Sequence, residues 1–210
     1  MSWDEIKENL RLAYDREAAN RERHGKEGWK RQEREAFLRR LEASGAQRLL
    51  DLGTGTGDDA CFFQEAGFSV AGVDLSPEMV RIATGKGLEV HELDMTTIDS
   101  HFPAASFDCA WSMNAFLHIP KARWGDVLSG VQTVLAPGGL FFLGVYGGID
   151  RDAIWEEDHY RPQRHFTFHA DTELRDRLER AFEVLDLHFV DYGHPLLHFQ
   201  AATLRRPRQA

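Results

Sequence analysis

The chain has 210 residues, 42% hydrophobic and 28% charged, a balance expected of one soluble globular domain with a full core. Its formal net charge of −9 argues against a large nucleic-acid footprint, which needs a basic face, and leaves neutral or cationic small molecules as partners. No apolar run is long enough to cross a bilayer, Met1 to Glu5 shows no signal-peptide pattern, and Cys61 and Cys109 form no C-x-x-C pair, so a cytoplasmic location with reduced thiols is expected.

Trp3, Ile6, Leu10 and Tyr14 recur at helical spacing and predict an amphipathic N-terminal helix. Gly25 and Gly28 interrupt it. A second helix is expected from about Trp29 to Ala43, with Phe37, Leu38 and Leu41 facing inward and Ser44-Gly45 at its end. From Arg48 strands and helices alternate. Strands are expected at 48–52, 68–73, 88–92, 107–113 and 140–146, and helices at 58–66, after Pro77 and at 121–135. Pro77 suits a first helical turn, with Ser76 as its cap. Such alternation implies a mostly parallel sheet covered on both faces. Residues 147–169 are poor in aliphatic side chains and read as a long loop or lid, although the alternation in 165–169 also suits a half-buried strand. A helix at 172–181 and two closing strands at 182–190 and 198–204 complete the chain.

The sequence from Asp51 to Gly57 (Asp-Leu-Gly-Thr-Gly-Thr-Gly) carries a strand through glycines into a helix, the geometry of nucleotide-binding α/β proteins. The dinucleotide pattern G-x-G-x-x-G fails, because Asp58 stands where its third glycine should be, and Asp59 follows. Two carboxylates there would repel a pyrophosphate. No Gly-Lys-Ser/Thr follows, so a P-loop is excluded as well. What fits is an adenosine ligand that lacks phosphates and carries positive charge.

Asp51-x-Gly53-x-Gly55-x-Gly57 resembles motif I of the class I S-adenosylmethionine-dependent methyltransferases. Val73 to Met79 is similar to the end of their second strand, Leu93-Asp94-Met95 to their adenine-flanking segment, and Pro137-Gly138-Gly139 to the turn into their fifth strand. The matches run in the family's order across about 48–146. The resemblance implies a doubly wound α/β fold of seven strands, mostly parallel with the last antiparallel, with helices on both faces. Residues 1–44 would form an N-terminal helical cap and 45–210 the core, with 147–169 as an acceptor-side lid.

The same resemblance implies S-adenosylmethionine as co-substrate and S-adenosylhomocysteine as product. Asp51 would assist the methionine ammonium; Gly53, Thr54, Gly55 and Gly57 would line that part of the site. Asp74, about twenty residues after Gly53, is spaced to accept two hydrogen bonds from a ribose diol, with Leu75 under the ribose and adenine. Its alternative role is a helix cap, which Ser76 fills better. Asp94 can accept from the adenine amine and Met95 can pack on its face; otherwise Asp94 is a surface acid at a strand end. Tyr14 would reach the cofactor carboxylate from a closing helix, or else extend the apolar stripe as a core aromatic.

Asn114 to Pro120 follows the fourth strand, where the family places cofactor and acceptor contacts. Asn114 is present without the proline pair of nucleic-acid amino-methyltransferases. His118, with an ordinary pKa near neutrality, is the first candidate base; a structural role capping the next helix is its alternative. His159, in the 147–169 segment, is the second candidate base. No second cluster supports a metal among the histidines there. The expected activity is methyl transfer to an oxygen or nitrogen of a small organic molecule, by a monomer or homodimer without membrane or nucleic-acid partners. The rivals are a methyltransferase of protein or RNA, a non-catalytic cofactor-binding module, and a nicotinamide oxidoreductase.

Overall fold

A computed structural model describes residues 1–23 and 25–208. Strands β1 (Arg48–Leu52), β2 (Ser69–Asp74), β3 (Glu89–Glu92), β4 (Phe107–Met113), β5 (Leu135–Gly147), β8 (Glu183–Val190) and β9 (His198–Arg205) form one sheet in the order β3-β2-β1-β4-β5-β9-β8. Every pairing from β3 to β5 is parallel, and β9 runs antiparallel between β5 and β8. The expected seven-stranded, mostly parallel sheet with its last strand reversed is therefore present. The order reverses at β1 and β4, opening a crevice at the C-terminal ends of β1, β2 and β4.

Alternation along each strand feeds two cores. Leu50 and Leu52 face α6 (Trp124–Val134) and α7 (Asp171–Glu179), where Val127, Val131, Leu174 and Leu178 are buried. Leu49, Trp111 and Phe142 face α2 (Gly28–Ser44), α3 (Asp58–Glu65) and α4 (Pro77–Gly85), where Phe37, Leu41, Phe63 and Ala83 are buried. Ser76 caps α4 by accepting from the Met79 N–H at 3.2 Å. A one-turn helix α5 (Ile98–His101) leads into β4.

Two differences from the sequence reading concern the site. β5 begins at Leu135 rather than at 140, taking Pro137-Gly138-Gly139 into the strand, with a shift of register between Phe107 and Cys109. The segment 147–169 is not a bare loop. It holds a hairpin of β6 (Arg151–Ile154) and β7 (His165–Phe168), paired antiparallel. The few aliphatic residues misled because the hairpin packs through rings: Trp155 lies 5.2 Å from Phe168, and Phe166 lies 5.7 Å from Phe168.

The two N-terminal helices do different work. α2 belongs to the sheet's core, with the Phe37 ring 5.6 Å from Trp111. α1 (Trp3–Arg23) lies across the crevice and docks on α4, where Asp15 accepts from the Ser76 hydroxyl at 2.6 Å and the Glu78 N–H at 3.3 Å. Among the described residues no helix is long and apolar enough to cross a membrane.

Candidate active site

β1 ends in a turn that needs glycine. Gly53 has φ +78°, and a Cβ there would overlap the Ala115 methyl; Gly55 has φ +57° with open space before it. Gly57 has φ +90°, but its neighbours are Leu88 and Ala83. It is held by packing and does not line the cleft. Thr54 turns its hydroxyl inward to the Asp51 carbonyl at 3.0 Å and so braces the turn.

Asp74, at the end of β2, accepts from the Gly55 N–H through Oδ2 at 2.8 Å and from the Ser76 N–H through Oδ1 at 2.9 Å. Each oxygen keeps lone pairs for a further donor. Burial raises its pKa, against these hydrogen bonds. Asp51 is 2% exposed beneath the turn and its Oδ2 has no partner. Burial, and then the charge of Asp59, push its pKa well up. Asn114, at the end of β4, takes φ +61° and leaves its buried Oδ1 unpartnered. A positive φ and a buried orphan acceptor on one residue mark a position shaped for something other than packing.

Asp74 and Asn114 border an inner cavity of about 90 Å³, bounded also by Tyr14, Gly55, Leu75, Asp94 and Met95; Asp51 lies beneath the turn and lines neither this cavity nor its neighbour. The inner cavity shares Arg21, Gly53, Gly55, Met113 and Asn114 with an adjoining basin of about 440 Å³. Asp58 and Asp59 border the basin, but not as free negative charge. Lys26 pairs with both, and Arg34 Nη1 lies 3.1 Å from Asp58 and 3.0 Å from Asp59. The repulsion expected of the two carboxylates is thus offset by two cations that the sequence pattern did not connect to them.

α1 closes the cavity. Trp3 Nε1 and Lys7 Nζ both reach Asp94 Oδ2, at 3.1 and 3.2 Å, while Thr96 occupies Oδ1. Both oxygens of Asp94 are engaged, so an adenine amine would share Oδ2 with α1. Trp3 and Lys7 escaped the sequence reading because the apolar stripe made Trp3 a core residue.

At the far end, Tyr14 meets His118. The His118 Nδ1–H donates to the His165 carbonyl at 2.8 Å, which fixes the tautomer. Nε2 therefore accepts, and the Tyr14 hydroxyl donates to it at 2.6 Å. The phenol oxygen in turn accepts from Arg164 Nη1 at 2.9 Å. Burial, and next the charge of Arg164, drive the His118 pKa down to about 3. His118 is thus a neutral, engaged acceptor, not the free near-neutral base its ordinary pKa implied. It caps no helix either, because the Lys121 N–H donates to Asp152. His159 is exposed and borders a separate surface groove with Trp155, Tyr146 and Tyr192. The structure does not bring it to the cavity.

The donor set fits S-adenosylmethionine. Asp74 offers two carboxylate oxygens to vicinal hydroxyls, Leu75 and Met95 offer apolar faces, and the orphan acceptors of Asp51 and Asn114 suit an ammonium.

Sheet order, crevice and glycine turn define a Rossmann-like α/β protein with its cavity at the switch point. Residues 49–139, the span that carries the glycine turn, Asp74, Asp94 and Pro137-Gly138-Gly139, match the methyltransferase domain family. A protein of Geobacillus sp. (strain WCH70), named only as a methyltransferase, is 32% identical over 130 residues, covering 57% of this chain and 51% of its own. The demethylmenaquinone methyltransferase of Thermus thermophilus is 38% identical over 99 residues, 44% of each chain. The chain thus spans about half the length of the curated relatives it matches. The Burkholderia thailandensis 1,6-didemethyltoxoflavin-N1-methyltransferase, solved with 1,6-didemethyltoxoflavin and S-adenosylhomocysteine, superposes with a TM-score of 0.76 at 23% identity, over 99% of this chain and 91% of its own. That likeness is one of fold.

Proposed function

We propose that this chain transfers the methyl group of S-adenosylmethionine to a nitrogen or oxygen of a small organic acceptor. The observation that carries the reading is the cavity under α1 that is lined by both Asp74 and the Tyr14–His118 pair. When bound, the cofactor supplies an electrophilic methyl on a sulfonium, so no protein nucleophile is needed.

The residues of this chain then have three tasks. Asp74, with Gly53 and Gly55, holds the nucleoside. Asp51 and Asn114 fix the ammonium end. Tyr14 and His118 orient the acceptor. The phenol proton is committed to His118, so the oxygen lone pair not taken by Arg164 is left to accept from an acceptor N–H or O–H. That contact aims the acceptor's own lone pair at the methyl group. α1 and the β6–β7 hairpin exclude water; we place the moving cap in α1 within 1–44, over a core of 45–210.

A small acceptor is favoured over protein or RNA by the position of α1 across the cavity and by the net charge of −9. Two of the similar proteins are named for small-molecule acceptors, a demethylmenaquinone and 1,6-didemethyltoxoflavin. Calorimetric titration with S-adenosylmethionine and S-adenosylhomocysteine, with NADH as control, tests the cofactor half. A radiolabelled-methyl screen over small amines, phenols and heteroaromatics tests transfer. Binding without transfer to any acceptor, protein and RNA included, would make the chain a binding module instead.

A further inference from the structure

Arg164 stands between two parts of the molecule that share no secondary structure. Asp158 grips it through Oδ2 on Nε at 2.9 Å and Oδ1 on Nη2 at 2.7 Å, and Asp158 also accepts the Arg164 backbone N–H at 2.9 Å. The guanidinium lies flat over the Tyr160 ring, 3.6 Å from its centroid, and 5.0 Å from that of Phe166. Both side chains of the ion pair are nearly buried, at 12% and 4% exposure. A bidentate grip and a stacked face leave the guanidinium little freedom, and its remaining edge delivers Nη1 to the Tyr14 oxygen.

The neighbouring contacts point the same way. Arg16 of α1 donates to the Arg161 carbonyl at 2.9 Å, and Phe166 of β7 packs 4.8 Å from the His118 ring. The His165 carbonyl that sets the His118 tautomer is on β7 as well. Three segments, α1, the turn after β4 and the hairpin, therefore meet at one phenol oxygen.

We propose that Arg164 is a positioning residue of the transfer site: by placing a fixed cation on the Tyr14 oxygen when the hairpin is seated, it directs the phenol proton to His118 and readies the pair for the acceptor. This rests on the methyl-transfer reading above, and it adds a switch. With the hairpin displaced, Arg164 leaves with Asp158, and Tyr14 loses the donor that holds its oxygen toward the cavity. Closure and alignment of the phenol oxygen toward the acceptor are then one event.

The groups facing His118 are Tyr14, Arg164, Asp158, Arg21 and the His165 carbonyl. Removing the Arg164 charge relieves repulsion of an imidazolium and leaves Asp158 to favour it, so His118 becomes easier to protonate. The experiment follows the His118 imidazole by long-range ¹H–¹⁵N NMR from pH 7 downward, in wild type, Arg164→Met and Arg164→Lys, with S-adenosylmethionine affinity measured on the same samples.

The expected result is an Nδ1–H tautomer at pH 7 in wild type. In Arg164→Met the onset of protonation moves up by about one pH unit. Arg164→Lys, which restores the charge, returns it toward wild type. Cofactor affinity stays within about twofold in both variants, since Arg164 has no contact with Asp51, Gly53, Gly55, Asp74 or Asn114, and the Tyr14 it does touch is assigned to the acceptor. If Arg164→Met fails to fold, Arg164→Gln provides the uncharged state. An unchanged onset in the uncharged variant overturns the proposal, as does a tenfold loss of cofactor affinity with the onset unmoved. Failure of wild type to bind S-adenosylmethionine would instead defeat the methyl-transfer reading, while the imidazole spectrum still reports on Arg164.

Discussion

The two ends of the cavity are built in opposite ways. Around Asp74 the key contacts are short in sequence: Ser76 to Asp74 spans 2 residues, and Gly55 to Asp74 spans 19 across adjacent parallel strands, while Asp94 is tied to α1, 91 residues away at Trp3. At the acceptor end they are long: His118 to His165 spans 47 residues, Tyr14 to His118 spans 104, and Tyr14 to Arg164 spans 150. The first end is a property of a supersecondary unit. The second exists only when α1, the turn after β4 and the hairpin are all in place, so it is the end that can open, and the end that differs most readily between proteins sharing the unit.

Substitutions can break this comparison or sharpen it. The largest effect is expected at Gly53: Gly53→Ala forces a Cβ into Ala115 at a positive φ, and should cost about 2–4 kcal/mol of stability together with cofactor binding. Denaturant midpoints and calorimetry measure both. Gly55→Ala has room for its methyl, so it should lose only about 1 kcal/mol while losing cofactor affinity about as severely. Equal stability losses in the two variants would contradict the assignment of Gly55 to the ligand.

Asp74→Asn should weaken S-adenosylmethionine by about 10- to 100-fold, the worth of a charge-assisted pair of hydrogen bonds. Tyr14→Phe should do the reverse, lowering turnover by about 10- to 100-fold and leaving cofactor affinity within about twofold. If Tyr14→Phe instead weakens cofactor binding, the phenol reaches the cofactor carboxylate and the division between the two ends fails.

Protonation separates the ends further. The Asp51 pKa is raised above its ordinary 3.8, so the folded state holds that proton more tightly than the unfolded chain. Stability from this group therefore falls as pH rises from about 4 through the raised value. Asp51→Asn should stabilise the protein at pH 7 by about 1–2 kcal/mol and weaken the cofactor, read by thermal melts and titration. His118 behaves oppositely. Its folded pKa of about 3 lies below the ordinary 6.5, so the unfolded chain binds the proton first. Stability is lost as pH falls below 6.5, by about 3 kcal/mol at pH 4. His169, driven down to about 4 chiefly by burial, adds to the same acid limb. A His118→Gln variant should flatten that limb in acid melts; an unchanged slope would mean His118 is not buried as a neutral ring.

Much of the fold was legible because its signals are local. Glycine punctuation, period-two apolar strands and the Ser76-Pro77 helix start located the sheet strands within a few residues and put Asp74 at the end of the second strand. Where the reading failed, the deciding contact was distant. β5 extends back to Leu135 because Phe107 pairs with it. The hairpin is held by rings that a count of aliphatic residues ignores. Trp3 is amphipathic, and its indole N–H finds Asp94 only when α1 crosses the crevice.

By itself, then, the sequence determined the strand–turn–helix and the carboxylate that faces it, because backbone conformation and hydrogen-bond capacity at Gly53, Gly55, Asp74 and Ser76 follow from residue type and short spacing. Only the tertiary structure decided what His118 can do. A histidine's charge depends on its solvation and on neighbouring cations, and burial together with Arg164, 46 positions further along the chain, turned a near-neutral base into the fixed acceptor of the Tyr14 proton.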